Sequence, residues 1–488
     1  MKLKIKFLKW SAGLPVAMLN KDTAEKIGIN LQDRISIKTH SKEISTIVDT
    51  IGTLIKKDEI AVSIEIQKIL NLKPKQKVDV NLAPNPESLK FIKEKLKGKY
   101  LSRKKIMRII SDIISNSLSE SEIALFVSGM YQNGMTFHET VDLIDAILKS
   151  GNILKIKNGC VVDKHSIGGI TGRVTPIVVS ICASAGLAFP KTSSRAITTP
   201  AGTADAMETL CEVEFSSEEI KRIIKKTNAC IVWGGGLGMV PADNKIIRIE
   251  KHLNLDPEAQ LLASIMAKKL SVGSKYIVIH IPYGKTAKVK LFKALRLKRK
   301  FEKLGKHFHV KVKCLLTKNF GPVGYGIGPS LEMMDVLKVL KREDSCYLLE
   351  KRALQLAGTL LEMTGKAKSG AGIKKAKEIL DSKKAFEKFK QIVKAQKGSL
   401  NNLKLAPYKK IIHSHKSGII KEIDNKKINS LAGVAGCPAD KLSGIFLHAQ
   451  VGSKIKKQEK LLTIYSESKP RLKEAVQFYQ TNNPFHIR

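Results

Sequence analysis

Two segments rich in small residues, 164–172 (KHSIGGITG) and 192–203 (TSSRAITTPAGT), gather hydroxyls, backbone N–H groups and cations within a few positions. Such a mixture suits a multiply charged anion, because neutral donors and a few cations can meet phosphate oxygens from several sides. Neither segment is a familiar nucleotide loop: neither carries GxxxxGK[ST] or GxGxxG. The apolar run 176–189 between them reads as a buried helix, so two turns flank one core element. Further along, Asp256 precedes Pro257 in LNLDPEAQLLAS, where local sequence alone favours a helix cap over a catalytic acid. Ser264 and Lys268 follow one turn apart on the same helical face.

These residues need a multidomain α/β scaffold. Residues 1–84 alternate short apolar runs with turns (LKIKFL, RISIKT, ISTIVDTIGTL, EIAVSI, KVDVNL) and predict a β-rich N-terminal domain with one helix near Asn20–Ile27. Residues 85–150 switch to helical periodicity, with capping boxes Ser119-x-x-Glu122 and Thr136-x-x-Glu139, and form a helical subdomain. In 151–404, apolar strands (CVVDK, CIVWGG, YIVIHIP, HVKVKCLLT) alternate with helices, which argues for an α/β domain with a parallel or mixed sheet. Part of this stretch could return to the helical subdomain. Residues 405–488 revert to short strands and glycine turns, a small C-terminal β domain.

Composition narrows the class further. With 488 residues and 43% apolar content the chain needs several cores. The 14-residue run 176–189 is too short to span a bilayer, which needs roughly 20 residues. MKLKIKFLKW lacks a signal-peptide core, and seven scattered cysteines without a CxxC pair suit reduced thiols, so a cytoplasmic, non-membrane protein is expected. The net charge of +42 admits a basic nucleic-acid-binding protein. Few aromatics interleave the lysine runs, however, and no specific nucleic-acid partner is expected.

KHSIGG at 164–169, KTSSRAITTPAGTAD at 191–205, PADN at 241–244 and ASIMAKK at 263–269 together resemble the pyrimidine nucleoside phosphorylase family. Within it, the SSRAITTPAGTAD loop, VGSKYIVIHIPYGKTAKV at 272–289, GPVGYGIGPSLE at 321–332 and the extra β-rich domain resemble the archaeal AMP phosphorylase branch. The resemblance implies a pentosyltransferase that splits AMP, and also CMP and UMP, with inorganic phosphate to the free base and ribose 1,5-bisphosphate. It implies no metal and no cofactor beyond the phosphate co-substrate, and a homodimer or larger homo-oligomer. Lys164, Ser166, Ser193 and Lys268 would hold the attacking phosphate. Gly168, Ser194, Arg195, Ala196, Ile197, Thr198, Thr199 and Lys288 would hold the nucleotide, and Ser264 its base, with Thr203 in reach of both groups. Arg195 is suited to a bidentate grip on phosphate. Asp256 would protonate the departing base, and His165 would polarise or deprotonate the attacking phosphate.

Four departures from the family pattern stand out. Ile249 occupies the position where pyrimidine enzymes carry an Arg that reads the base carbonyl, which weakens a thymidine or uridine phosphorylase reading. ITGRVTP replaces GDKTS, leaving Thr175 unassigned as a phosphate ligand, and His280 and Tyr325 replace an Asp and an Arg without a reason visible in the sequence.

Overall fold

The computed structural model describes residues 1–8, 15–31, 33–154, 156, 159–168, 173–196, 199–285, 287–344 and 346–488 of the chain. Two compact units divide it: Met1–Ser150 with Pro241–Ser264, and Gly151–Val240 with Ile265–Arg488.

The first unit opens with a closed six-stranded barrel. Its strands are β1 (Lys2–Phe7), β2 (Val16–Asn20), β3 (Arg34–Lys38), β4 (Glu43–Ile51), β5 (Glu59–Val62) and β6 (Lys77–Leu82), in the spatial order β1-β5-β2-β4-β3-β6. Alternation dictates this closure: in KLKIKF, Leu3 and Ile5 point inward with Ile35, Ile37, Val48 and Ile60, while the lysines face water. The expected helix spans Lys21–Lys26, capped by the Asn20 side chain. A second, Ile64–Leu70, carries an apolar run that periodicity alone cannot separate from a strand.

Four helices follow: Glu87–Leu96, Arg103–Ile114, Glu120–Asn133 and Phe137–Lys149. Both expected capping boxes form, with Glu122 and Glu139 reaching back to the Ser119 and Thr136 N–H groups at 2.8 Å. Glu139 also accepts from Lys95 at 2.9 Å in a buried ion pair that ties two helices together. The helix Pro241–Leu253 belongs to this unit as well.

The second unit is built on parallel strands: β7 (Val162–Ser166), β8 (Phe189–Ser193), β9 (Ala229–Trp233), β10 (Tyr276–Tyr283) and β11 (Lys311–Lys318). β10 lies between β11 and β7, β8 pairs with β9, and a parallel bridge between Val161 and Ala188 joins the two sets. Strand order is therefore β11-β10-β7-β8-β9. The chain winds from β7 toward β9 and then resumes on the other side of β7, so its direction reverses between β7 and β10. In an open parallel sheet, the crevice at the carboxyl ends of the strands beside such a reversal is where ligands bind.

Apolar patterning anticipates every strand of this sheet but β8. Phe189 closes the apolar run that reads as helix, and KTS reads as part of the loop beyond it. The helix in fact ends at Ser184, after ten consecutive buried residues from Val174 to Ala183. Pairing with β9 makes Phe189–Ser193 a strand. Helices Pro329–Lys341, Tyr347–Met363 and Lys384–Ala395 share one apolar core with Val174–Ser184. Beyond them, strands Tyr408–His413, Gly444–Leu447 and Lys460–Ser466 and helices Asn425–Ala435 and Lys469–Thr481 enclose a separate C-terminal core.

Candidate active site

The carboxyl ends of β7 and β8 carry DKHS and KTS, and alternation along a strand sorts their side chains by face. Asp163 is fully buried, and its carboxylate meets Lys269 at 2.7 Å and Lys191 at 3.6 Å. Lys164 is also buried and donates to Thr175 Oγ1 at 3.2 Å, in the first turn of the helix Val174–Ser184. Lys269 and Lys191 thus share one carboxylate, while the Lys164 ammonium is held by a hydroxyl. Stripped of water, each loses free energy unless an anion balances it. Burial accordingly pushes Lys164 well below its usual range, helped by Lys191 and Arg173. Lys191 is pushed down to about 7, burial leading and Lys269 adding to it against the pull of Asp163. His165 falls well below its ordinary value through burial and the nearby Lys269, Lys191, Lys164 and Lys268, so its ring is neutral at pH 7. The Ser193 and Thr192 hydroxyls are buried and have no hydrogen-bond partner among the described residues. Cations in excess of counter-charge and hydroxyls without partners give this edge the chemistry that a doubly charged anion would balance.

The turn after β7 brings in Lys288. Gly168 has φ +67°, and a Cβ there would meet Cβ and Cδ of Lys288 at 2.6 and 2.7 Å. Lys288 therefore lies directly across the turn, and it is exposed. Only glycine allows both the left-handed backbone and that approach.

The loop after β8 is ordered differently. Asp205 accepts from the N–H groups of Ala196 at 2.7 Å and Gly202 at 2.8 Å, tying both positions to one carboxylate. A Cβ at Gly202 would stand 2.4 Å from the Ser194 carbonyl oxygen, so glycine is required there too. The Arg195 guanidinium grips a carboxylate bidentately: it donates to both oxygens of Glu208 at 2.6 and 2.9 Å and to Glu214 at 2.9 Å, and it lies 5.0 Å from the Trp233 ring. Glu208, held by Arg195 and Lys441, drops to about 2. The fork expected to face phosphate is thus a clasp that pins the loop. Thr203 Oγ1 accepts from Arg173 at 3.1 Å, and Arg173 in turn is paired with the buried Glu332. Thr199 donates to the Ala201 carbonyl at 3.1 Å, Ser194 is exposed, and Ile197 and Thr198 lie outside the described residues.

Asp256 and Ser264 belong to the first unit. Asp256 is half-buried, two residues before the helix Glu258–Ser271. Ser264 donates to Asp243 Oδ2 at 3.1 Å, and Gln260 donates to the other oxygen at 2.9 Å, so the PADN carboxylate orients the residue expected to touch the base. Lys268, on the same helix, is half-buried in the second unit, next to the fully buried Lys269.

The chain is 41% identical to an AMP phosphorylase of Methanococcus vannielii over 99% of its own length and 97% of that relative. It is 40% identical to one from Pyrococcus furiosus over 100% and 98%. It belongs to the AMP phosphorylase family. Residues 89–151 match the helical bundle domain and 158–274 the α/β domain of a glycosyl transferase family, and 419–486 match the pyrimidine nucleoside phosphorylase C-terminal domain. Among solved structures, the anthranilate phosphoribosyltransferase of Thermus thermophilus shares the fold. Its TM-score is 0.52 and its identity 16%, over 63% of this chain and 99% of that one.

Against the sequence reading, the structure gathers Lys164, His165, Ser166, Gly168, Ser193 and Lys288 in the second unit. It adds Asp163, Lys191, Lys269, Thr175 and Asp205, which the sequence reading leaves out or unassigned. A signal for the first three is present: charged residues inside strands and a helix that are otherwise apolar. Thr175 receives a role as the partner of Lys164. His280 also gains an account: it is fully buried on β10, in register with Ser166, 3.2 Å from its hydroxyl. Nothing in the structure explains Tyr325, whose backbone N–H donates to Asp335 at 2.7 Å.

Proposed function

We propose that the protein catalyses phosphorolysis of AMP by inorganic phosphate as a pentosyltransferase. The observation that carries this reading is the excess of buried positive charge at the ends of β7 and β8: Lys164, Lys191 and Lys269 against Asp163 alone. A phosphate dianion there restores the balance. Lys164, Ser166, Ser193 and Lys268 hold it, and neutral His165 polarises it. The dianion is itself the nucleophile: its oxygen bonds to C1′ of the ribose as the bond from C1′ to the base nitrogen breaks. The released base takes a proton from Asp256, and the sugar leaves as ribose 1,5-bisphosphate. Preorganised donors around the transferred charge supply most of such an acceleration.

Gly168, Lys288, Thr203 and the loop 194–199 hold the nucleotide, and Ser264 touches its base. CMP and UMP are substrates of the same site. Among the described residues no helix is long and apolar enough to cross a membrane. The reaction proceeds without metal, in a homodimer or larger assembly. All seven cysteines are free thiols, as suits a reducing cytoplasm.

The test is phosphate-dependent release of adenine from AMP, run beside adenosine and thymidine and repeated in EDTA. AMP turnover that survives EDTA supports the reading; thymidine turnover without AMP turnover, or salt-dependent RNA binding without phosphorolysis, overturns it. In the same assay Asp256→Asn should lower kcat by about 10²–10⁴-fold while AMP still binds.

A further inference from the structure

Ser166 reaches the anion site from the carboxyl end of β7, and a hydroxyl can hold an anion only if its own proton faces it. What stands behind Ser166 decides that. On the neighbouring β10, His280 lies in register with Ser166, its Nδ1 3.2 Å from Ser166 Oγ. Its Nε2 is 2.8 Å from Thr317 Oγ1 on β11 and 2.5 Å from Arg352 Nη1, and Arg352 also reaches Thr317 Oγ1. A guanidinium has donors only, so the ring nitrogen facing it carries no proton and accepts. A neutral imidazole with a bare Nε2 has its hydrogen on Nδ1. That N–H points at Ser166 Oγ, which must then accept from it.

We propose that His280 is a positioning residue for phosphate: locked by Arg352 and Thr317 as the Nδ1–H tautomer, it donates to Ser166 and turns the Ser166 O–H toward the anion. The ring stays neutral because it is fully buried and faces the positive charges of Arg352 and Lys164. A carboxylate at this position would do the opposite, drawing the Ser166 proton to itself. The relay explains why an aspartate expected from the family pattern can be replaced by histidine without loss of the hydroxyl: the donor and acceptor roles are exchanged, and Arg352 fixes the exchange. The inference rests on the phosphate reading of Ser166, and its test separates the two.

The tautomer is read first, by ¹⁵N NMR of histidine-labelled full-length protein without substrate, with His280 assigned by its loss in His280→Asn. A protonated Nδ1 and bare Nε2 are expected; a protonated Nε2 overturns the proposal whatever the substrate proves to be. Kinetics follow. His280→Leu should raise KM for phosphate by about tenfold and leave KM for AMP within about twofold, while His280→Asn, whose amide N–H can stand where Nδ1–H stood, should recover most of the loss. In a Ser166→Ala background, His280→Leu should add less than about twofold. An equal loss with and without Ser166, or His280→Asn as impaired as His280→Leu with an intact circular-dichroism spectrum, overturns the relay. If the Leu variant does not fold, Arg352→Met takes its place, with a mixed tautomer and a raised KM for phosphate expected, and an unchanged tautomer counting against the lock. Absence of AMP turnover with the tautomer as assigned defeats the nucleotide reading and leaves the relay standing, read then by sulfate or phosphate titration.

Discussion

The loop after β8 and the buried surroundings of β7 treat their cations in opposite ways. After β8, Arg195 is surrounded by Glu208, Glu214 and Asp205, and its charge is consumed within the protein. Around β7, Lys191 and Lys269 share the single carboxylate of Asp163, Lys164 donates to a hydroxyl, and burial drives Lys164 and Lys191 toward neutrality. A cation that has enough carboxylates holds the protein together, whereas buried cations that outnumber their carboxylates are balanced only when a further anion arrives. The difference lies in the neighbours, and residue type alone conceals it.

Removing each kind of cation should separate stability from activity. Lys164→Met should reduce kcat/KM for AMP phosphorolysis by about 10³-fold, as for loss of one preorganised donor to transferred charge. It should leave the melting temperature unchanged or higher, because a buried, poorly compensated charge has gone. A marked fall in melting temperature with activity retained would make Lys164 a structural residue and break the contrast.

Arg195→Met should do the reverse. Losing the clasp on Glu208 should cost about 1–2 kcal/mol, scaled down because the pair is partly exposed, seen as a melting temperature lower by a few degrees. Activity should fall by less than about tenfold, from a loop less firmly held. A loss as large as that of Lys164→Met, with stability intact, would return Arg195 to the phosphate.

The smallest effect is a pH dependence. Lys191 titrates near 7 in the free protein, and the groups around it are Asp163, Lys269, Lys164 and the Cys230 thiol. A bound dianion favours its protonated form and raises its pKa, so binding takes up a proton. Affinity is then greatest below about 7 and declines as pH rises through that value, by up to tenfold per unit. Sulfate as a competitive inhibitor tests this, since it does not itself titrate there. A flat profile, or the same profile in Lys191→Met, would remove Lys191 from the site.

Much of this was legible in the chain. Period-2 alternation marked the barrel strands, capping boxes at Ser119 and Thr136 marked helix starts to the residue, and apolar strands separated by helices marked the parallel sheet. The strand at Phe189–Ser193 was hidden, because its apolar part merges with the preceding run and only its partner strand declares it. Within the site, Lys164, Ser166 and Ser193 drew a role from their motifs, while Lys191 and Lys269 lay inside quoted motifs without one, since only their burial beside Asp163 distinguishes them from solvated lysines. The ion pairs of Arg195 were hidden for the complementary reason: Glu208 and Glu214 lie 13 and 19 residues away, with no local pattern linking them to it.

By itself the sequence determined the order of domains, the periodicities that build them and the two segments able to meet phosphate. These are local properties: turn chemistry, alternation and capping act within a few residues. Only the tertiary structure decided which cations are paired, that Lys191 and Lys269 share one carboxylate, and that His280 stands behind Ser166. Charge balance and hydrogen-bond direction depend on distances across β7, β8 and β10, and those distances are set by sheet register and burial.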